Sequence, residues 1–254
     1  MTLQYCSDLH LEFPENKKFL KEHPIVPTGD ILILAGDIVP FSIMDKHKDF
    51  FKFCSDNFKE TYWIPGNHEY YGFDIMQKSG TFHEKIKPNV HLLNNSTIEI
   101  ENTQLIFTTL WSKINPAHQW QIERGMNDFR VIRYGEFRFS TDRLNDLHLE
   151  SMQFLNKAFK ESKHKNNIVV THHVPTFQNY PQQYRGSILN EAFAVELTDF
   201  MEEHKPNYWI YGHHHENIPE FKIHETTLLT NQLGYVEMGE HLNFKNNMII
   251  NLVN

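Results

Sequence analysis

Five consecutive apolar residues, Ile31-Leu32-Ile33-Leu34-Ala35, constrain this chain more than any other stretch. A strand that is apolar on both faces must be covered on both faces, which is the pattern of a parallel sheet inside an α/β layer structure. The run stops at Gly36-Asp37, a turn former followed by a carboxylate. The same grammar recurs four times. Leu3 to Ser7 runs into Asp8-Leu9-His10, and Tyr62-Trp63-Ile64-Pro65 into Gly66-Asn67-His68-Glu69. Ile168 to Thr171 breaks at His172-His173-Val174-Pro175, and Tyr208 to Tyr211 feeds Gly212-His213-His214-His215. Parallel strands would bring all five endings to one edge of the sheet, where α/β proteins place their chemistry.

The rest of the chain fills in the layers. In extended backbone, residues i and i+2 share a face, so Asp8 and His10 are expected to reach the same point. Asn16 to His23 reads as a short helix closed by Pro24. Ser42 to Phe58 reads as a longer one, with Phe50, Phe53 and Cys54 at helical spacing. Residues 70 to 88 read as irregular or weakly helical. Val90 to Leu93, Thr97 to Ile100 and Gln104 to Leu110 read as short strands, with a hairpin connection at Glu101-Asn102-Thr103. Residues 111 to 139 are aromatic and charged without periodicity, and a long irregular connection of that kind is more often functional than idle. Thr141 to Lys163 is an amphipathic helix through Leu144, Leu147, Phe154, Leu155, Ala158 and Phe159. A polar stretch, Phe177 to Ser187, precedes a helix expected over Asn190 to His204, and Thr226 to Thr230 and Asn247 to Val253 read as closing strands. No repeat or linker divides the chain, which predicts one domain over residues 1–254.

The 254 residues are 40% hydrophobic and 22% charged, ordinary for a globular protein. A net charge of −8 gives no long-range field that would gather nucleic acid. Cys6 and Cys54 cannot make a disulfide framework, and reduced thiols are the expected state. Met1 leads straight into a strand with no apolar leader, and no later apolar run approaches the ~20 residues needed to span a bilayer. The expectation is a cytoplasmic protein without a membrane partner. Seventeen histidines make chance clusters common, so order and placement have to carry the argument.

Carboxylates and imidazoles without thiolates suit manganese, iron or zinc better than calcium or a thiolate zinc finger. One ion would not need so many donors. Two ions ~3.5–4 Å apart would, and such pairs are a recurring solution for phosphoryl hydrolysis. In this order, Asp-x-His, Gly-Asp, Gly-Asn-His-Glu, His after a strand and Gly-His-x-His, the motifs resemble those of the calcineurin-like metallophosphoesterase family, from Asp8 to His215. The resemblance implies an α/β fold: a metallophosphoesterase-type β-sandwich with flanking helices and two metals at the C-terminal ends of the strands, here a mixed sheet with residues 90 to 110 supplying or extending a second one. It implies that Asp8, His10 and His215 hold one ion, that Asn67, His172 and His213 hold the other, and that Asp37 bridges. His68 corresponds to the family's phosphate-contacting histidine, with Glu69 or a neighbour orienting its ring. His172 is preferred to His173 as the ligand because a small spacer and a proline follow it, which leaves His173 as a pocket or supporting group. Alternation should aim His214 away from the metals.

The function so implied is hydrolysis of a phosphodiester or phosphomonoester by a metal-bridging hydroxide. Catalysis would rest on His68 and Asp37, and the cofactors would be two divalent or mixed-valence ions of Mn, Fe or Zn. A small soluble phosphoester such as a cyclic nucleotide suits the acidic charge, and nucleic acid is disfavoured for want of a basic tract. Asn67, His68 and His173 are candidate substrate contacts, as are Asn127 and Arg130 from Gly125-Met126-Asn127-Asp128-Phe129-Arg130, although Arg130 could equally be a surface ion pair. Tyr70, Tyr71, Trp111, Trp120 and Tyr180 are expected to pack rather than to bind substrate. The alternatives are a protein phosphatase or nuclease of the same fold, or a non-catalytic metal-binding scaffold for protein interaction. A retained His68 favours an enzyme over the scaffold.

Overall fold

The computed structural model describes residues 1–252, so Val253 of the last expected strand lies outside the described residues. The first half of the chain runs β1 (Thr2–Cys6), α1 (Pro14–Glu22), β2 (Ile31–Ala35), α2 (Lys48–Asn57), β3 (Glu60–Ile64), β4 (Phe82–Lys87), β5 (Val90–Asn94), β6 (Ser96–Ile100) and β7 (Thr103–Thr108). The second half runs α3 (Gln119–Gly125), α4 (Asp128–Val131), β8 (Arg133–Tyr134), β9 (Phe137–Arg138), α5 (Thr141–Glu161), β10 (Asn166–Thr171), α6 (Thr198–His204), β11 (Tyr208–Ile210), β12 (Phe221–Ile223), β13 (Thr226–Leu229) and β14 (Ile249–Asn251).

Two six-stranded sheets result, in the orders β14-β1-β2-β3-β5-β4 and β12-β13-β11-β10-β7-β6. The four inner strands of each are parallel and the outermost pairs are antiparallel. Period-2 alternation explains why the strands read as apolar throughout. Leu3, Tyr5, Ile31, Ile33, Tyr62 and Ile64 of the first sheet meet Leu105, Phe107, Ile168, Val170 and Ile210 of the second in a core between the sheets. The alternate residues Leu32, Leu34 and Trp63 pack outward on Phe51 and Cys54 of α2. Val169 and Trp209 pack outward on Leu155 of α5 and Met201 of α6. Each inner strand therefore has two dry faces in a helix-sheet-sheet-helix stack. Truncating one of these side chains to alanine would cost about 2–5 kcal/mol.

Several expectations need correction. The five strand endings belong to two sheets, three to the first and two to the second, and they meet because the sheets are packed face to face. Residues 82–87, expected to be irregular or weakly helical, form β4, a charged and half-exposed edge strand, and charge on an edge is what hides such a strand from a hydrophobic pattern. The helix expected from Ser42 begins as a tight 3₁₀ turn over Phe41–His47. The one expected over Asn190 to His204 is a 3₁₀ turn, Ile188–Ala192, followed by a break before α6. The break is used: Val195 N donates to Val174 O and Leu197 N to Pro175 O, so this backbone pairs with the segment after β10 instead of coiling. Cys6 and Cys54 are buried free thiols. Among the described residues no helix is long and apolar enough to cross a membrane.

Candidate metal centre

Where β1, β2 and β11 end, the backbone turns left-handed at non-glycine residues: Asp8 (φ 55°), His10 (φ 46°), Asp37 (φ 54°), His213 (φ 84°) and His215 (φ 53°). The expectation that Asp8 and His10 converge through strand alternation is therefore wrong in its mechanism, because each side chain is turned inward by its own strained turn. Such conformations cost of order 1–3 kcal/mol each and persist where surrounding structure holds them. Gly66 shows how close the approach is. A Cβ there would strike the Asp37 carboxylate and come within 2.6 Å of His172 Nε2.

The imidazoles are fixed from behind. His10 Nδ1 lies 3.0 Å from Glu12 Oε1 and His215 Nδ1 lies 2.7 Å from Glu240 Oε2. A carboxylate only accepts, so each Nδ1 carries the proton and each Nε2 presents a lone pair. Those two Nε2 atoms face each other at 3.0 Å. Asp8 Oδ1 is 3.3 Å from the His215 nitrogen and Asp37 Oδ2 is 3.7 Å from the His10 nitrogen. In the second group His172 Nδ1 donates to Ala35 O at 3.0 Å and His213 Nε2 to Ala192 O at 3.4 Å. His172 Nε2 is then 3.1 Å from His213 Nδ1, 3.2 Å from Asn67 Oδ1 and 3.4 Å from Asp37 Oδ1. Two neighbouring points are each ringed by buried lone pairs, with Asp37 facing both.

Converging lone pairs repel unless something positive lies between them. Burial by itself would push His172 and His215 down, yet Asp37 raises His172 to about 9 and Asp8 with Glu240 raises His215 to about 10. The field at these atoms thus favours a cation. Burial would likewise raise Asp37, but His172 and His68 hold it well below the usual carboxylate range. Neutral imidazoles, carboxylates and one amide oxygen form a donor set that fits manganese, iron or zinc.

His68 stands beside this cluster. Its backbone N donates to Asp37 Oδ1 at 2.9 Å, its ring stacks on Tyr71 with centroids 3.9 Å apart, and Nε2 lies 3.3 Å from the Tyr235 hydroxyl. Glu12 Oε1, 3.2 Å from His68 Nδ1, orients the ring. Burial would lower His68, but Asp37 and Glu12 hold it above its ordinary value. Glu69, expected as an alternative to a neighbour for orienting the ring, is engaged elsewhere. Its carboxylate accepts from the backbone N of Asp37, Ile38 and Gly66 and from Trp63 Nε1, which ties the β2 and β3 loops together.

A cavity of about 710 Å³ opens over the cluster. Asp37, Asn67, His68, Asn127, His213 and His215 line it, while Arg130 and His173 do not. Arg130 folds back on Arg124 O and lies 3.5 Å from Asn127 Oδ1. His173 is buried behind His213, with ring centroids 4.3 Å apart, and Nδ1 faces Thr109 O. His214, expected to point away from the metals, is in none of the donor groups found among the described residues, though it lines the cavity, and its Nδ1 accepts from Gln232 Nε2. Tyr70 and Trp111 pack in the core and Trp120 is 68% exposed, whereas Tyr71 and Tyr180 reach the cavity.

Sequence reasoning missed Glu12, Asp128, Tyr235 and Glu240. Asp128 Oδ1 accepts from Asn67 Nδ2 at 2.9 Å, which turns the amide oxygen toward His172, and Oδ2 accepts from the Tyr71 hydroxyl. The polar alternation Asp8-x-His10-x-Glu12 signalled Glu12, and Asp128 sat between the two residues singled out. Nothing local signalled Tyr235 or Glu240.

Residues 1–217 match the family described as calcineurin-like phosphoesterase. The chain is similar to an uncharacterized protein, L509, of Acanthamoeba polyphaga mimivirus, at 32% identity over 272 residues, covering 95% of this chain and 94% of the viral one. Its fold is similar to that of a phosphopantetheinyl hydrolase from Mycobacterium tuberculosis, with a TM-score of 0.69 at 14% identity over 93% of this chain and 90% of that one. With the family's profile matched over most of its length and a relative aligned nearly end to end, this chain belongs to the calcineurin-like phosphoesterases.

Proposed function

We propose that this protein is a dinuclear metal-dependent phosphoesterase of the cytoplasm that hydrolyses a small soluble phosphoester. The observation that carries the reading is the inward lone pair on four imidazoles, three buried and that of His215 nearly so, around two adjacent points that share Asp37. Asp8, His10 and His215 would hold one ion, Asn67, His172 and His213 the other, and Asp37 would serve both. A metal pair held there would supply the chemistry of lowering the pKa of water and offsetting phosphate charge. The chain's own groups do the rest. Glu12 holds His68 with Nε2 toward the cavity, where the ring stabilises charge on the reacting phosphoryl group or gives a proton to the departing oxygen. Asp128 keeps the Asn67 amide turned inward. The buried free thiols Cys6 and Cys54 suit a reducing compartment.

The test is turnover of p-nitrophenyl phosphate and bis(p-nitrophenyl) phosphate by protein loaded with manganese, with metal content measured on the same sample. Turnover that vanishes on chelation and returns with metal is expected. Protein carrying two ions and cleaving neither ester would overturn the reading.

A further inference from the structure

The cavity is far larger than a phosphate group needs, and its two sides differ in kind. One side is the cluster just described. The other is built by residues 125–131 and 180–193, whose apolar side chains Met126, Val131, Tyr184, Leu189 and Phe193 face the same space. None of these five is fully buried, and Tyr184 is 37% exposed. The two segments are packed together tightly, since a Cβ at Gly125 would come within 2.6 Å of Leu189 Cδ2. Charge makes the second observation. Among the described residues no lysine or arginine lines the cavity, whereas Glu12, Asp128 and Glu240 do, in addition to Asp37.

Resting on the phosphoesterase reading, the geometry points to a substrate that is a single phosphodiester monoanion carrying an aromatic or apolar ester group seated against Met126, Leu189 and Phe193. A phosphomonoester near neutral pH carries close to two negative charges, and a site that grips a dianion ordinarily adds arginine or lysine to its other positive groups. Here the surplus charge would meet carboxylates. A diester carries one charge and has a second substituent that needs room, and the apolar wall offers that room. A polynucleotide repeats its charge along the chain and gains nothing from such a rim. In the reaction, the oxygen of water bonds to phosphorus and the P–O bond to one alcohol breaks. That oxygen leaves with a proton, and the other ester bond stays intact, so the product is a phosphomonoester.

Steady-state kinetics with one leaving group and a varied second substituent test this. Manganese-loaded enzyme is assayed on p-nitrophenyl phosphate, methyl p-nitrophenyl phosphate and phenyl p-nitrophenyl phosphate. Seating a phenyl ring against apolar side chains should raise kcat/KM for the phenyl diester over the methyl diester by roughly tenfold or more. Both diesters should exceed the monoester. Leu189→Ala should shrink the phenyl-to-methyl ratio, because kcat/KM for the phenyl diester falls further than that for the methyl diester. Leu189→Arg should shift preference toward the monoester. A wild-type enzyme that prefers the monoester overturns the diester assignment, and a phenyl-to-methyl ratio near one overturns the apolar seat; either leaves the phosphoesterase reading intact. An unchanged ratio in Leu189→Ala overturns the placing of the ester group. Failure on all three esters at full metal content defeats both readings at once.

Discussion

On the floor of the cavity every functional nitrogen has its proton assigned by an acceptor behind the ring, Glu12, Glu240, Ala35 O or Ala192 O. The wall above it holds Met126, Leu189 and Phe193, whose side chains carry no polar atom to be fixed in that way. The floor stands on strand ends of two packed sheets and is tied by Glu69, whereas the wall stands on short turns. Chemistry demands the first kind of construction, because a misplaced donor loses most of its effect. Selection among substrates needs only shape and polarity, which turns can supply. Substitutions in the floor should therefore act on metal content and kcat, and substitutions in the wall on discrimination between esters.

The harshest break in the floor is Asp37→Ala. This carboxylate faces both donor groups and also accepts from His68 N, so its loss removes shared charge between two ions that repel each other. Metal analysis of the purified variant should find fewer than two ions, and turnover should fall further than for any other floor variant. Full occupancy would mean that Asp37 does not bridge.

His68→Ala should come next. Its side chain belongs to neither donor group around Asp37, so the ions should stay while kcat falls by roughly 10²–10⁴-fold with little change in KM. The loss should be smaller for p-nitrophenyl esters than for alkyl esters, because a good leaving group departs without a proton. Equal losses would assign the ring to charge stabilisation alone, and a variant that loses metal would make it a ligand.

Asp128→Ala tests a support rather than a donor. Without its carboxylate the Asn67 amide and the Tyr71 hydroxyl both lose their acceptor. Removing such a supporting group typically costs 10–100-fold in metal affinity or activity. Restored activity at high manganese would place the defect in binding of the ion beside Asn67, and a wild-type enzyme would show that the amide holds its orientation unaided.

The floor was legible in the sequence because its residues follow directly on strands, and strands announce themselves by apolar runs that end abruptly, as Ile31–Ala35 does at Gly36-Asp37. Order along the chain carried the rest. Placement in two sheets was not legible, since parallel strands read alike whichever sheet they join. The supports were mostly hidden: Glu240 meets His215 from a stretch between the two expected closing strands, and Tyr235 reaches His68 across 167 residues of sequence. The wall was hidden as well. Residues 111–139 and 177–193 fold into helices, a two-stranded ribbon and tight turns too short to show a period.

The smallest effect should come from Arg130→Ala, and it bears on the comparison most directly. By type and position Arg130 is the obvious phosphate clamp, four residues from Met126 on the wall. Its guanidinium instead satisfies Arg124 O and faces Asn127 Oδ1, on the exposed side of the segment. Because the side chain does not line the cavity, kcat and KM for both monoester and diester should stay within about twofold of wild type. Asn127→Ala, whose residue does line the cavity, should be felt more strongly in KM. A tenfold rise in KM for Arg130→Ala, larger for the monoester than for the diester, would mean that the side chain swings inward when substrate arrives. The cavity would then have its cation after all, and the charge argument for a monoanionic diester would fall, leaving only the apolar wall to distinguish one ester from another.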